Sequence, residues 1–585
     1  MTGQTAVLTL AAVVLILTLA ECVRRMLSPR PSGQDHPAFF FLIVSGAILV
    51  LRWPEIRFPG GINLDEAQML AQAMRFCSHP VPWRDVDGTT SGPLNSMVLC
   101  LPMYLGAPAG WPTSRLVLWL ANCLTLVFLY LALRNFGTRR EAQFVLVPAI
   151  LFYAFSLDPN YAHYSSETLP VLLLSAGLYL LAREWNAGSP SILRLFLLGL
   201  LCGSLPFTKL QAGPLGLFLF AAALGMLFLR RRALGPAGAS LCVGLVVPEA
   251  LILGWVSAMG AFHDFWISYV LASGSYAQEL STHERLHNVW MLFMHPSDFT
   301  PYLLCTFAML IILLAAFLSR KARLEKRLLW PLFLMIADVV LTALCIATAG
   351  KAFLHYLLLL VPALAVFQGL AFFASKQLLG TNPEAASGWP HPARWFLAAS
   401  MLAVMLPVLQ PVRYVRDVAA DYPAKDSLQI AAITLPVRAA TRPGDTMAIW
   451  GWMPSYYIET GLAPATRDVI GHYVITDGPY REFFQKRYLA DLKQSRPAVF
   501  IDAISDGAYI WWSWKRADAH EGFPELAAYV DANYTLWWSV QLAERGVPVR
   551  IYLLNSRMAE LHLSPNNLET YDALTAAARP HSSNP

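Results

Sequence analysis

Two adjacent carboxylates, Asp65 and Glu66, stand in the run Gly61-Ile62-Asn63-Leu64-Asp65-Glu66, just beyond an apolar stretch. A carboxylate placed there can accept a proton from a hydroxyl or hold a cation. Local pattern separates the two acids. Ala67, Leu70, Ala71 and Met74 recur at i, i+3, i+4 and i+7, the spacing of one helical face. Asn63 is a good N-cap for that helix, and Glu66, three residues on, fits a capping box. Asp65 falls in the first turn, where the helix dipole stabilises negative charge, and the box does not need it. Asp65 is therefore the first candidate for chemistry, with Glu66 beside it; the plainer alternative is that both acids only decorate a helix start. His79, Arg84, Asp85 and Asp87 follow in the same polar stretch.

Cations at the ends of apolar runs are the second set of candidates. Phe207-Thr208-Lys209-Leu210-Gln211 puts a lysine between two such runs, and Gly350-Lys351-Ala352-Phe353-Leu354-His355-Tyr356 opens another with a lysine, a histidine and a tyrosine. An ionisable group at membrane depth is costly and usually faces a cavity or a partner. Lys209, Lys351 and His355 could hold a phosphate, although a lysine near a span end can also simply snorkel to the interface. The short loop Asp158–Glu167 carries His163 and Glu167. A longer one carries His263, Asp264, His283, Glu284, Arg285 and His287. A divalent metal could be assembled from such residues, but no spacing here is a metal signature.

Composition says what must position these groups. The chain has 585 residues, 56% hydrophobic and 14% charged, with a net charge of +5; a soluble domain averages about 25% charged. Counting runs near 20 residues predicts about twelve transmembrane helices: 6–23, 38–53, 113–133, 142–157, 168–183, 192–208, 211–229, 237–257, 301–319, 329–348, 354–375 and 395–411. The pair 192–208 and 211–229 reads as a hairpin or one broken helix. Pro93–Leu105 is too short to span and is placed at the interface. The run Ala6–Val23 lacks a basic segment before it and reads as a retained helix rather than a leader.

Basic residues set the orientation. Arg24, Arg25, Arg30, Arg134, Arg139, Arg140, Arg183, Arg194, Arg230, Arg231, Arg232, Arg320, Lys321, Arg323, Lys326, Arg327, Lys376 and Arg394 share one side; apart from the 54–112 loop, the other side holds Lys209, Arg285 and Lys351. The positive-inside rule puts the first set in the cytoplasm, leaving the Asp65 loop and everything after 411 outside. Basic residues in short clusters between spans also argue against nucleic-acid binding. Of eight cysteines most lie in apolar spans and none forms a CxxC pair, so a disulfide framework is not expected.

After 411 the composition changes. Strand-like runs at Thr446–Trp450, Ala498–Asp502, Tyr534–Val540 and Val549–Leu554 alternate with helical patterns at Tyr480–Lys493 and Pro524–Asn533, predicting a small α/β domain. The expected organisation is a transmembrane domain over 1–411 with its outer loop at 54–112, an extracytoplasmic α/β domain over 412–556, and a polar tail over 557–585.

Three stretches resemble the GT-C superfamily of polyprenyl-phosphate-sugar-dependent glycosyltransferases, within it the protein O-mannosyltransferase and lipid A aminoarabinose transferase group. Leu64-Asp65-Glu66-Ala67 followed by Gly92-Pro93-Leu94 looks like the family's first outer loop. Lys351 to Pro362 looks like its late His-Tyr…Pro span. Ile449-Trp450-Gly451-Trp452, Thr466-Arg467, Asp491-Leu492 and Arg496-Pro497-Ala498 look like its outer C-terminal domain. The likeness covers about 38–555. Where some members carry a lysine before the Pro-Leu helix, this chain has Ser91-Gly92.

The resemblance implies a bacterial inner-membrane transferase acting on the outer face. A sugar would pass with inversion from a polyprenyl phosphate to a lipid, polysaccharide or protein acceptor. Asp65 would be general base, oriented by Glu66. Lys209, Lys351 and His355 would offset charge on the phosphate, and Arg84, Asp85, His163, Glu167 and Tyr356 would line the substrate. Two rivals remain open. One is a transporter or flippase of a lipid-linked glycan, working through Glu249 and Asp338. The other is a non-catalytic assembly subunit binding glycan through Trp511, Trp512, Trp514, Trp537 and Trp538.

Overall fold

The computed structural model describes residues 3–27, 36–229, 234–276, 280–319, 323–379, 396, 398–403, 414, 425–504, 516–541, 547–563 and 568–570. Most of the expected span 395–411 lies outside these residues, as do Trp511, Trp512, Trp514 and the basic residues Arg30, Arg230–Arg232, Arg320, Lys321 and Arg394. By contacts the chain divides into two compact units. One is Met1–Arg57, Arg115–Ile252 and Glu279–Tyr422; the other is Phe58–Ser114, Leu253–Gln278 and Pro423–Pro585.

Helices dominate. Among the described residues seven are long and apolar enough to cross a membrane: Gln4–Met26, Trp111–Leu133, Leu210–Leu229, Gly235–Ala258, Thr300–Leu318, Lys326–Thr348 and Leu354–Leu378. The expected count of twelve is higher for local reasons. Pro37–Leu51 and Ile192–Phe207 are apolar but shorter. The run 142–157 is two helices, Arg139–Val145 and Val147–Phe155, parted at Leu146 where Pro148 enters the first turn of the second; proline has no N–H to continue the ladder. Thr168–Asn186 forms as a nineteen-residue helix.

The first unit packs these helices into a large apolar core. Its tightest approach is between the Ile192–Ser204 and Ala239–Ala258 helices. A Cβ on Gly199 would sit 2.2 Å from the Leu241 carbonyl oxygen, and one on Gly203 2.1 Å from that of Leu245. A small-xxx-small pair lets two helical backbones close on one another where no hydrophobic effect between helices is available. The 192–229 stretch resolves as a helix pair joined by two 3-10 turns, Leu205–Phe207 and Leu210–Ala212, and the two helices contact each other. Lys209 lies extended between the turns.

The second unit is built on a six-stranded mixed sheet: β1 (Thr446–Trp450), β2 (Ala463–Pro464), β3 (Val499–Asp502), β4 (Tyr534–Gln541), β5 (Val549–Leu554) and β6 (Leu568–Thr570), ordered β2-β1-β3-β5-β4-β6. β1 runs parallel to β2 and β3, and β5 antiparallel to β3 and β4. The four expected strands and both expected helices are present, the latter as Arg481–Ser495 and Pro524–Asn533. Both faces are covered, which is why the strands read as nearly continuous apolar runs. Met447, Ile449, Val499 and Ile501 point to one core with Ala67, Leu70, Ala71 and Trp111; Ala448, Trp450 and Phe500 point to the other with Phe484, Tyr488 and Leu492. The Leu64–Ser78 helix thus covers one face of the sheet, using the apolar stripe its sequence carries. Within the expected tail a helix continues to Glu560 and residues 568–570 supply β6.

One departure is covalent. Cys77 and Cys100 form a disulfide across the Leu64–Ser78 and Pro93–Tyr104 helices, with Cα atoms 5.7 Å apart. Neither cysteine sits in a spanning run, and the pairing depends on two helices meeting, which spacing alone does not reveal. Replacing both with alanine should cost about 3 kcal/mol for a loop of this length. Thermal unfolding with and without a reductant checks this: reductant should lower the wild-type midpoint to that of the double variant and leave the variant's unchanged.

Candidate active site

The sequence-selected residues fall into two groups, one in each unit. In the second unit the helix Leu64–Ser78 begins as predicted at Asn63, whose side chain accepts from the Asp65 N–H at 2.9 Å. The capping box does not close. Glu66 is fully buried, with Oε1 3.0 Å from the Ser114 hydroxyl, which also lies 2.9 Å from the Trp111 carbonyl oxygen, and Oε2 3.4 Å from the Ile62 N–H. The reason is long-range: Ser114 supplies a donor inside the fold, and a buried carboxylate takes it. Asp65 is half-buried in the same turn.

Arg84 and Asp85 pair with each other, Nε to Oδ1 at 3.0 Å, with Arg84 largely exposed. Burial raises the Asp85 carboxyl, but the hydrogen bond and charge of Arg84 outweigh it and hold the group below its usual range. Behind them Arg75 binds the Asp85 carbonyl and donates to the Pro464 carbonyl at 2.7 Å. Trp111 donates to Glu459 at 2.8 Å.

Sequence reasoning missed the strongest polar feature of this unit. Arg487 is buried and donates to Asp87 at 2.8 Å, to Ser268 at 2.7 Å and to Asp468. Next to it Arg467 grips Asp491 at 2.7 Å and reaches Asp264 at 3.2 Å. The Asp87 N–H donates to the Arg467 carbonyl at 3.0 Å. Thr466-Arg467 and Asp491-Leu492, separate motifs in the sequence, are thus two halves of one ion pair. Burial raises the Asp468 carboxyl, Arg487 opposes the rise, and Asp87 adds to it; the outcome is about 6.

In the first unit Lys209 and Glu167, both buried, form an ion pair, and Lys209 Nζ also donates to Ser166 at 3.0 Å. The ammonium lies 4.3 Å from the centre of the Tyr356 ring, a cation–π distance. His355 stacks on Phe353, and its Nε2 is 3.9 Å from Glu167 Oε1. Burial raises the Glu167 carboxyl, but Lys209 and then His355 outweigh it and hold it at about 2. His163 lies with its ring centre 6.1 Å from that of His355. Lys351 is half-buried just after Gly350, whose φ of +66° favours glycine. A Cβ there would meet the Arg285 side chain at 2.8 Å, so Arg285, which sequence reasoning left in a solvated loop, packs against Gly350. Lys209, His163, Glu167, His355 and Tyr356 therefore form one buried cluster.

Among the described residues one group, Asp502, His520 and Glu521, brings three metal-type ligand atoms within 4.8 Å of one another. Arg550 already donates to Asp502 and Glu521, each at 2.6 Å, so a cation is built into that cluster.

This architecture has a counterpart among solved structures. ArnT from Cupriavidus metallidurans, bound to undecaprenyl phosphate, aligns over 90% of this chain and 99% of its own, at a TM-score of 0.53 and 14% identity. Its apo form aligns over 91% and 100%, also at 0.53, with 13% identity. An Archaeoglobus fulgidus oligosaccharyltransferase tethered to an acceptor peptide aligns over 87% of this chain and 73% of its own, at 0.43 and 13% identity. No protein-family model matches the chain, and no curated protein matches it either. The fold is therefore the one the GT-C resemblance implies: a multi-pass helical membrane protein with a C-terminal sheet domain.

The Asp468 environment yields a test with a definite sign. Its carboxyl rises on folding from an ordinary 3.8 to about 6. Its contribution to stability is therefore full below 3.8 and is lost as pH rises through about 6. Asp468→Asn cannot titrate, so its cost in lost bonds to Arg487 adds a pH-independent difference. On top of that, the stability advantage of wild type over the variant should shrink by about 3 kcal/mol as pH rises from about 4 to about 7. Melting temperatures of both proteins, compared pH by pH, isolate this one group; a constant difference would refute it.

Proposed function

We propose that the protein is a membrane glycosyltransferase that moves one sugar from a polyprenyl phosphate to an extracytoplasmic lipid, polysaccharide or protein acceptor. The observation that carries this is the unequal acid pair. Glu66 is buried and committed to Ser114, while Asp65 is half-buried at a helix N-terminus. The fold shared with ArnT supports the same reading. A hydroxyl of the acceptor gives its proton to Asp65 as its oxygen bonds to the anomeric carbon. The bond from that carbon to the phosphate oxygen breaks, its electron pair leaves with the polyprenyl phosphate, and the configuration inverts.

Lys209, its charge shared with Glu167, acts with Lys351 and His355 on the phosphate, where positioned cations stabilise developing charge. Arg84, Asp85, His163, Glu167 and Tyr356 line the substrate, and Glu66 orients the acceptor or Asp65. The organisation is a helical domain over 1–411 whose outer loop, 54–112, carries the base, then an α/β domain over 412–556 and a tail over 557–585. The bacterial inner membrane, with loop and sheet domain outside, agrees with the distribution of basic residues. The Cys77–Cys100 disulfide agrees with it too, since such bonds persist in oxidising compartments.

Asp65→Asn should lower turnover by about 10²–10⁴-fold, the usual worth of a general base, with the yield and melting temperature of purified protein unchanged. Sugar release from a panel of radiolabelled polyprenyl-phosphate sugars, with crude envelope acceptors, measures this. Near-normal turnover removes Asp65 from the chemistry. Intact flipping of lipid-linked glycan by a variant and wild type that both release no sugar would favour the transporter reading. Lys351→Ala should weaken donor affinity about ten-fold, roughly one charge-assisted hydrogen bond, and leave the acceptor KM alone; equal effects on both would remove it from the phosphate.

A further inference from the structure

The buried cluster around Lys209 contains one atom whose chemistry is unspent. The His163 side chain is wholly buried, and its Nδ1 lies 2.7 Å from the Pro159 carbonyl oxygen. A carbonyl only accepts, so Nδ1 carries the proton and donates it. In the neutral ring that leaves Nε2 as a bare lone pair, a hydrogen-bond acceptor. Nε2 is buried and has no hydrogen-bond partner. An acceptor left so costs about 1–3 kcal/mol, and such an atom calls for a reason.

Among the described residues no donor reaches Nε2. Lys209 Nζ is held by Glu167 and Ser166. His355 Nδ1 lies 3.4 Å from the Asn160 side-chain oxygen, and its Nε2 lies on the Glu167 side. A ligand can supply the missing hydrogen. An ionised phosphate oxygen cannot, because it too is an acceptor. A hydroxyl can.

Resting on the glycosyltransferase reading, we propose that His163 Nε2 accepts a hydrogen bond from a hydroxyl of the sugar being transferred. Lys209 and Lys351 serve the phosphate; His163 reads the sugar. The residue is thus a determinant of donor specificity, distinct from the groups that hold the lipid phosphate.

The test uses His163→Asn. The asparagine amide places an N–H near the position of Nδ1 and can keep the bond to Pro159, while nothing replaces Nε2. Dissociation constants are measured in nanodiscs for sugar-free undecaprenyl phosphate and for a panel of undecaprenyl-phosphate sugars. Wild type should bind one or more sugar-bearing lipids at least ten-fold tighter than the sugar-free one. His163→Asn should lose about ten-fold of that preference, which is 1.4 kcal/mol, with affinity for undecaprenyl phosphate and the melting temperature unchanged. His163→Gln, whose amide reaches the Nε2 position, should restore part of the preference. Equal weakening toward both lipids would place His163 on the phosphate and overturn the inference. No change toward either would mean that Nε2 holds only a water, and would overturn it as well. Wild type binding no panel member would carry a different signature: it would sink the proposed donor, and this inference with it.

Discussion

A guanidinium removed from water has to be matched charge for charge, and the second unit is arranged around one such group. Arg487 reaches three stretches far apart in sequence: Asp87 in the acidic loop, Ser268 in the 253–278 segment and Asp468 after β2. Removing one partner of a buried charge pair is severely destabilising because the other charge is stranded. The Asp87 loop therefore has little freedom to leave the sheet. That loop is continuous with the Leu64–Ser78 helix, which lies on one sheet face through Ala67, Leu70 and Ala71. The position of Asp65 is thus set by packing on β1 and β3 from one side and by a buried ion network from the other. The proposed general base needs support of that kind to meet a reacting atom within a fraction of an ångström.

The first unit solves a different problem. A lysine within a run of apolar helices is affordable only if its charge is answered. Here the helix ladder opens into two 3-10 turns with Lys209 extended between them, and Glu167, at the start of another helix, meets the ammonium. The break costs backbone hydrogen bonds, yet it lets a long side chain turn inward instead of snorkelling. Glycine is used nearby for the opposite purpose. Gly199 and Gly203 let the adjoining helix pack backbone to backbone, so the same stretch holds both a close helix contact and a buried lysine.

What was legible in the sequence follows from range. Features that depend on neighbours within a few residues came through: the Asn63 cap, the apolar stripe of the Leu64–Ser78 helix, the four main strands and Lys209 between two runs. Features set by partners tens or hundreds of residues away did not. Arg487 reads as one more basic residue on a charged helix, because Asp87 lies 400 positions earlier. Glu66 reads as half of a capping box, because nothing local announces Ser114. Cys77 and Cys100 carry no recognisable spacing. β2 and β6, two and three residues long, exist only because a neighbouring strand pairs with them. Among the described residues seven helices meet the length and apolarity of a span; of the other expected runs, 142–157 is divided at Pro148, which hydropathy does not register, 38–53 and 192–208 form shorter helices, and most of 395–411 lies outside the described residues.

Asp65 and Glu66 carry the same functional group, and a sequence has no means of ranking them beyond position in the turn. Burial ranks them. A carboxylate that has lost its water must be satisfied by the fold, and one so satisfied is poorly placed to accept a new proton from a substrate, because each lone pair already in use must first be released. Glu66, with Ser114 bound to it and no exposed surface, is in that state. The shorter acid, one position earlier, is half-buried in the first turn, where the N–H groups of the helix stabilise negative charge. A glutamate at position 65 would keep the charge but extend it by a methylene, moving the oxygen by more than the tolerance that proton transfer in a near-attack geometry allows. In the proposed reaction the two acids are therefore not interchangeable: one is held inside the fold and the other works from the helix start.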